Sequence, residues 1–555
     1  MAKNVLTAWQ RLLGLLKLDK RDVLQTFYYA IFAGLVNLSL PLGIQAIINL
    51  IQSAEISTSW VVLVVLVTGG VAFGGLLQLM QIRIIENVQQ KIFTRASFEF
   101  TYRFPKIRMS ELHNYYPPEL ANRFFDTLNV QKGLAKILLD FPAAVLQIVF
   151  GLILLSFYHP FFIVYGILLV LLIYVVFKFT AQKGMDTSLE ESKRKYKVAH
   201  WIQEVARSLI SFKLSGRTSL ALDKNDALVL DYLEARESHF RILVIQFIQM
   251  IGFKVLVTAG LLLIGGLLVL NQEMNIGQFV AAEIIILLVI SSVEKLTRSL
   301  ETFYDLFTSL EKLGQVVDKE LEEQQGERPL NEEDEFSLEL DRVSFGASKI
   351  GRNILDDISL KIGPKTRLLV LGANGSGKST LLRLIAGLIQ PDDGNIYVNN
   401  VSLRGINPNH YRSFLGQSLT EEKPFEGTIL ENITFGDKSI TEKEVQWAME
   451  NTGLLQYVKE QPKGINTMVY PEGQQMPFTV SKKIVLARSI VRKPKLLLLK
   501  DPLIQFDEVE AIKIIKFLTD DKNPWSLIVV SQDPKWLNRF QNIITLENGK
   551  IVSKI

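Results

Sequence analysis

The chain has 555 residues, of which 48% are apolar, a formal net charge of +4 and no cysteine. That length exceeds what one hydrophobic core organises, so at least two domains are expected. The charge lies too near balance to point to nucleic acid as a partner, and the lack of cysteine excludes disulfides, thiolate metal sites and a thiol nucleophile.

Residues 1–20 place Trp9, Leu12, Leu13, Leu15 and Leu16 among lysines and arginines, with no small-residue cleavage site. They are read as an amphipathic helix on the inner membrane surface, a packed soluble helix being the alternative. Residues 21–315 follow as a transmembrane domain. Its apolar segments are Val23–Ile51, Trp60–Ile82, Ile137–Phe157, Phe161–Phe179, Ile242–Leu270 and Ile276–Val293. Each is long enough to cross about 30 Å of hydrocarbon at about 1.5 Å per helical residue, which gives six spans. The links Gln52–Ser59, Tyr158-His159-Pro160 and Asn271–Asn275 hold no lysine or arginine, whereas the two long links are basic, from Arg83 to Lys136 and from Lys183 to Lys224. The positive-inside rule therefore puts the long links, both termini and everything after the sixth span in the cytoplasm. Acids interleaved with the bases, such as Glu190 and Glu191 before Lys193, favour long solvated helices over an RNA or headgroup surface.

Two charges fall inside the apparent spans. Lys254 lies about 24 Å along its helix from the outer end and Glu283 about 10 Å, so a direct ion pair between them is not expected. Both are candidates for lining a substrate path, with snorkelling the alternative for Lys254. Residues 316–335 carry Glu320, Glu322, Glu323, Glu327 and Glu332 to Glu335 around Gly326 and Pro329, with Asp334 among them. That composition reads as a solvated acidic linker.

Residues 336–555 read as a soluble α/β domain. Leu368–Leu371, Asn395–Val398, Leu496–Leu499, Leu527–Val530 and Ile543–Leu546 alternate with helical stretches, which predicts a largely parallel sheet with helices on its faces. A hairpin is expected at Asn548-Gly549. The strand Leu368–Leu371 runs into Gly372-Ala373-Asn374-Gly375-Ser376-Gly377-Lys378-Ser379-Thr380 and then into an apolar-faced helix. This is the pattern of a phosphate-binding loop. Its glycines let backbone N–H groups curl around phosphates, Lys378 supplies charge, and the Ser379 hydroxyl is placed to hold Mg²⁺. The helix N-terminus behind it favours an anion.

Six spans followed by this loop resemble an ATP-binding cassette exporter half-transporter over essentially the whole chain. Gln417, in Phe414-Leu-Gly-Gln417, resembles the family's Q-loop glutamine, and Glu426–Ile433 the segment after it. Leu486–Leu499 is similar to the family's helix after the signature and its Walker B strand. Ser39–Gln45 and Pro118–Asp126 look like segments of type I secretion, or hemolysin-type, exporters without a peptidase domain, the second falling at the first coupling helix. The resemblance implies that ATP is held by Gly372, Asn374, Gly375, Ser376, Gly377, Lys378, Ser379, Thr380 and Gln417, with Mg²⁺ on Ser379 and Gln417. It also implies a bacterial cytoplasmic membrane, a second half-transporter (identical or different), a transported peptide or protein in preference to lipids or small amphiphiles, and a periplasmic adaptor protein.

The departures are equally specific. Lys500 stands where the family has its Mg²⁺-holding aspartate, Asp501 where it has the catalytic glutamate, and Gln532 where it has the switch histidine. Asp501 and Gln532 are thus the candidate catalytic residues, Asp501 one methylene shorter than the family's group and Gln532 unable to become a cation. Lys500 would offset phosphate charge directly and make binding less dependent on Mg²⁺. Met476–Val480 stands for the glycine-rich signature, so Pro477, Phe478 and Thr479 crowd a position where backbone approaches phosphate. The adenine-stacking aromatic falls on Ala347, with Phe345 as a substitute or, preferred, a core residue. ATP binding with slow or absent hydrolysis is expected. The functional alternatives are an export subunit, a catalytically dead ATP-binding subunit that assembles or regulates a secretion complex, and, least favoured, a receptor or scaffold.

Overall fold

The computed structural model describes residues 7–52, 58–113, 115–331, 333–346, 353–419 and 421–554, apart from the side chains at 175–177 and 179–181. The chain forms two compact units, Met1–Lys106 with Asn114–Lys319, and Ile107–His113 with Glu320–Ile555.

The first unit is helical throughout. Its opening helix, Ala8–Leu18, starts at a reciprocal cap in which Thr7 and Gln10 satisfy each other's backbone N–H groups. Leu12 packs with Ile85, Val88, Ile92, Leu306 and Leu310, Trp9 stacks on Phe307, and Arg11 donates from Nη1 to Asp318 Oδ1 at 2.8 Å. Leu13 and Leu18 face outward, so the helix has one docked and one exposed apolar face. The first apolar segment divides into Lys20–Asn37 and Ser39–Gln52. Pro41 causes the break, because it has no N–H to return to Asn37 and the Leu38 N–H turns instead to Leu35 at 3.2 Å.

Four helices then run far beyond a bilayer: Thr58–Arg103, Phe161–Arg207, Leu220–Leu270 and Ile276–Val317, of 46, 47, 51 and 42 residues. Their basic ends are solvated and laced with ion pairs, Arg194 to Glu190 at 2.8 Å and to Asp231 at 2.7 Å. Ile276–Val317 is the central helix, with Ala281, Ala282, Ile285, Ile286 and Val289 nearly inaccessible, whereas Thr58–Arg103 turns Val61, Val62, Val65 and Leu66 outward. Outward apolar side chains cost nothing in hydrocarbon, and the buried face of Ile276–Val317 packs by shape, while Leu287, Ser291, Lys295 and Arg298 are exposed. Five described helical segments are long and apolar enough to cross a membrane, and the span read at Phe161–Phe179 is represented by the shorter apolar helical stretch Phe161–Tyr174. Lys254 is exposed, Glu283 partly buried, and neither forms an ion pair among the described residues.

The second unit is built on sheets. Strands β1 (Leu338–Gly346), β2 (Asn353–Ile362), β3 (Arg367–Gly372), β4 (Asp393–Val398) and β5 (Val401–Ser402) precede β6 (Leu415–Ser418), β7 (Gly427–Thr428) and β8 (Met468–Val469). Strands β9 (Leu496–Lys500), β10 (Ser526–Val530), β11 (Asn542–Glu547) and β12 (Lys550–Lys554) complete the unit. The main sheet has the order β12-β11-β3-β10-β9-β6, parallel except at the β11–β12 hairpin, where Asn548 and Gly549 both have positive φ as a tight two-residue turn demands. The parallel reading fails at Asn395–Val398: this stretch is β4 of a separate antiparallel sheet, β2-β1-β4-β5. Its partner, Leu338–Asp341, lies far back in the chain, and a short apolar run carries no mark of its pairing direction.

The acidic stretch is solvated at most of its side chains but docked along its backbone. From Glu320 onward the acidic stretch is held against the α/β unit. Arg412 makes a two-pronged bond to Glu322 at 2.6 and 2.9 Å, the Glu327 N–H donates to the Gly405 carbonyl at 2.8 Å while its carbonyl accepts from the Asn407 N–H at 3.0 Å, and Leu330 is buried. A fixed cation holds Glu322 and backbone bonds hold the chain, while Glu323, Glu327, Glu333 and Glu335 stay exposed to water. Phe345 packs partly buried against the core of this unit, as a core residue, while Ala347 and Glu332 lie outside the described residues.

Candidate nucleotide site

The site grows from the carboxyl ends of parallel strands, where α/β sheets place their ligands. Val370 of β3, Val530 of β10 and Lys500 of β9 stand in register across three neighbouring strands, so the segments that follow them emerge side by side. Buried leucines fix β9. Leu496 and Leu498 face the helix Lys378–Ile385, while Leu497 and Leu499 face Phe478–Ile490 and Glu508–Leu518. Strand alternation therefore sends Lys500 to the side of Lys378–Ile385.

The loop between β3 and that helix keeps the geometry its glycines require. Gly377 has φ 101, and a Cβ there would lie 2.6 Å from Leu355 Cδ2 and 2.9 Å from the Ile354 carbonyl oxygen. Gly375 has φ 83, but a Cβ there would meet nothing within 4 Å, so this side of the loop is open. The helix that begins at Lys378 has no side-chain cap, which leaves its first N–H groups available to a ligand. Ser376 is buried and its Oγ has no partner among the described residues. Lys378 Nζ donates to the Gly372 and Ala373 carbonyls, both at 2.7 Å, and Gln532 Nε2 donates to the same Gly372 carbonyl at 2.9 Å. Burial pushes the Lys378 ammonium below its usual range; Asp501 opposes this and Lys500 adds to it.

A cavity of ≈ 460 Å³ opens here, lined among others by Asn374, Gly375, Gly377, Lys378, Ser379, Thr380, Lys500, Asp501 and Gln532. Eight of the residues singled out from the sequence thus line one cavity together with Lys500. Gly372 contributes its carbonyl from beneath, and Ser376 lies under the loop. Gln417 stands apart on β6, opposite Leu498, and is not part of the lining. Ile354, Ile504 and Ser531 also line the cavity and were not anticipated; Ile354 comes from β2 of the other sheet, and no local pattern marks it.

The loop fits a triphosphate: it has an open glycine cradle, free helix N–H groups, a lysine and an orphaned hydroxyl. The donor set does not fit Mg²⁺ held as the resemblance implies. Lys500 Nζ donates to Ser379 Oγ at 2.7 Å, so an ammonium already sits on the oxygen that would ligate the metal. Asp501 reaches the cavity through a left-handed backbone, φ 42, with its N–H bonded to the Val530 carbonyl at 2.9 Å. Pro477 precedes Phe478–Ile490 at its N-cap position, and Phe478 is 49% exposed at the tip.

Two family models match the chain: ABC transporter at residues 355–504 and ABC transporter transmembrane region at residues 24–293, together more than half of its length. A Rickettsia bellii protein named for export ATP-binding and permease functions is 23% identical over 84% of this chain and 81% of its own. The alpha-hemolysin translocation ATP-binding protein HlyB of Escherichia coli O157:H7 is 28% identical over 55% of this chain and 43% of its own. A solved bacterial Atm1-family ABC exporter with ATP bound superposes with a TM-score of 0.84 at 16% identity, covering 96% of this chain and 95% of that one, a likeness of fold.

Proposed function

Because the chain belongs to the ATP-binding cassette transporters, with the membrane and cassette parts of an exporter, we propose that it is an ATP-gated export subunit whose turnover of ATP is slow or absent. Such chains generally work in membranes as dimers of halves and bind ATP. ATP would settle on the loop Gly372–Thr380, with Lys378 and the free N–H groups of Lys378–Ile385 countering its phosphates. Binding would favour closed cassettes, and the coupled change in the helical halves would move substrate outward by population shift.

The observation that carries slow turnover is the Lys500–Ser379 bond, because it replaces metal alignment with a fixed ammonium. Asp501 remains a candidate base for the attacking water and Gln532 a candidate to contact the γ-phosphate, each in place of a group better suited to transfer. Phe478 supports the same reading from the other side, since in the family this helix faces a nucleotide on the partner cassette.

A peptide or protein is the favoured substrate, moved across a bacterial cytoplasmic membrane with the cassette and both termini inside. A second copy or a different half completes the transporter, and a periplasmic adaptor protein is the further partner. The same substitutions support a second reading, an ATP-binding subunit without catalysis that assembles a secretion complex. Nucleotide-dependent association without transport in vesicles would select that reading. Turnover is tested on the purified protein in lipid: the expected rate lies well below the roughly 1–10 s⁻¹ common among enzymes. A rate in that range, lost on Lys378→Ala, would refute slow turnover.

A further inference from the structure

Lys500 is part-buried at the end of a strand whose four preceding side chains are wholly inaccessible, so its backbone has little freedom to withdraw. Its ammonium has one hydrogen-bond partner among the described residues, Ser379 Oγ, and no carboxylate within ion-pair distance. Lys378 is likewise bonded to backbone carbonyls alone. Two ammonium groups and the start of a helix thus share one open cavity with a single carboxylate, that of Asp501. Such a cavity carries excess positive charge and favours an anion. A metal entering beside Ser379 would add a divalent cation next to both lysines, and Mg²⁺ demands near-octahedral oxygen ligands at about 2.0–2.1 Å, which an ammonium cannot supply.

We propose that Lys500 is a built-in cation for the triphosphate, standing beside Ser379 in place of a divalent metal, so that the site takes nucleoside triphosphate free of metal. This rests on the nucleotide reading above and assigns the site a ligand form. Metal-bound triphosphate, the usual form, meets a redundant charge here. Metal-free triphosphate meets one ammonium on the Ser379 side and a second, Lys378, at the loop. A tethered cation cannot be chelated or lost, so nucleotide would stay bound when divalent cations are removed. Lys500→Asp would exchange this for metal dependence, because it removes the ammonium and restores an oxygen ligand near Ser379.

The test is equilibrium binding of radiolabelled ATP to the full chain in lipid nanodiscs, in excess EDTA and in excess Mg²⁺. The expected wild-type affinity is higher in EDTA than in excess Mg²⁺, where most ATP carries metal, while Lys500→Asp weakens binding in EDTA by at least about tenfold and recovers it in Mg²⁺. Lys500→Met should weaken binding in both buffers. If wild-type binding is lost in EDTA and restored by Mg²⁺, the proposal is overturned and the nucleotide reading stands. An Lys500→Met chain that binds as wild type in EDTA overturns it too. Absence of wild-type binding in both buffers removes the nucleotide reading itself, and the proposal with it. A readout that needs no variant is Mn²⁺ electron paramagnetic resonance: the wild-type protein with ATP should immobilise no Mn²⁺, and a protein-bound Mn²⁺ signal at one per site would count against the proposal.

Discussion

Among the cassette helices that begin without a side-chain cap, Lys378–Ile385 and Phe478–Ile490 have opposite surroundings. Before the first, glycines open the loop and two lysines face the cavity. Before the second, Pro477 fixes the chain and the Phe478 ring projects from the first turn, with Lys482 Nζ 5.7 Å from that ring. Elsewhere in the same unit, Thr428 and Thr441 cap their helices through reciprocal bonds with Glu431 and Glu444. An uncapped terminus therefore attracts an anion only when its neighbours keep it open and cationic. The first terminus has the form of a phosphate site, and the second presents a proline and an exposed aromatic ring.

The comparison can be pressed hardest by rebuilding the obstructed terminus and the altered strand ends together. Met476→Leu, Pro477→Ser, Phe478→Gly, Thr479→Gly and Val480→Gln, combined with Lys500→Asp, Asp501→Glu and Gln532→His, should raise ATP turnover about a hundredfold or more. The five signature changes alone should leave turnover at the wild-type level, because Lys500 still occupies Ser379. Steady-state phosphate release from the protein in lipid reads both. On the open terminus, Lys378→Ala removes a charge-assisted contact worth about 1.5–3 kcal/mol and should weaken ATP binding about tenfold to a hundredfold by calorimetry.

The phosphate loop was legible because its information is local: strand, glycines, lysine and helix follow within a dozen residues. The hairpin at Asn548-Gly549 was legible for the same reason, since two adjacent residues carry the positive φ values 47 and 82. The Lys500–Ser379 bond joins positions 121 residues apart, and only the parallel register of β3, β10 and β9 brings them together. The family resemblance singled out Lys500 but could not say which atom it would touch. Ile354 and the antiparallel sheet were hidden by the same non-locality. The acidic stretch was legible in part: most of its carboxylates are exposed, but nothing local marks that Arg412 and Asn407, some eighty residues later, hold it.

A smaller effect separates a part-buried charge of the cassette from those at its cavity. Burial pushes the Glu422 carboxyl up to about 7, against the pull of the Leu419 N–H, Arg488 and Lys482 and with the help of Glu421. The unfolded chain loses this proton near the ordinary carboxylate value, so the folded chain holds the extra proton between the two values. The contribution to stability is full below the lower value and is lost as pH rises through about 7. Glu422→Gln should therefore leave thermal stability unchanged near pH 4 and raise it near pH 8, by about 1–3 kcal/mol. The smallest expected effect lies in the helical unit, where Arg11→Ala removes the bond from the first helix to Asp318. Thermal unfolding in detergent should report a loss of about 1 kcal/mol.

The four long helices have a mechanical meaning. Leu220–Leu270, with 51 residues, is a rod of about 77 Å, more than twice the thickness of the hydrocarbon it crosses. A rod of that length is a lever: a tilt of about 5° at one end carries the other through about 7 Å, more than a helical turn. Motions too slight to disturb side-chain packing near one end would thus reach the other as displacements the size of a side chain.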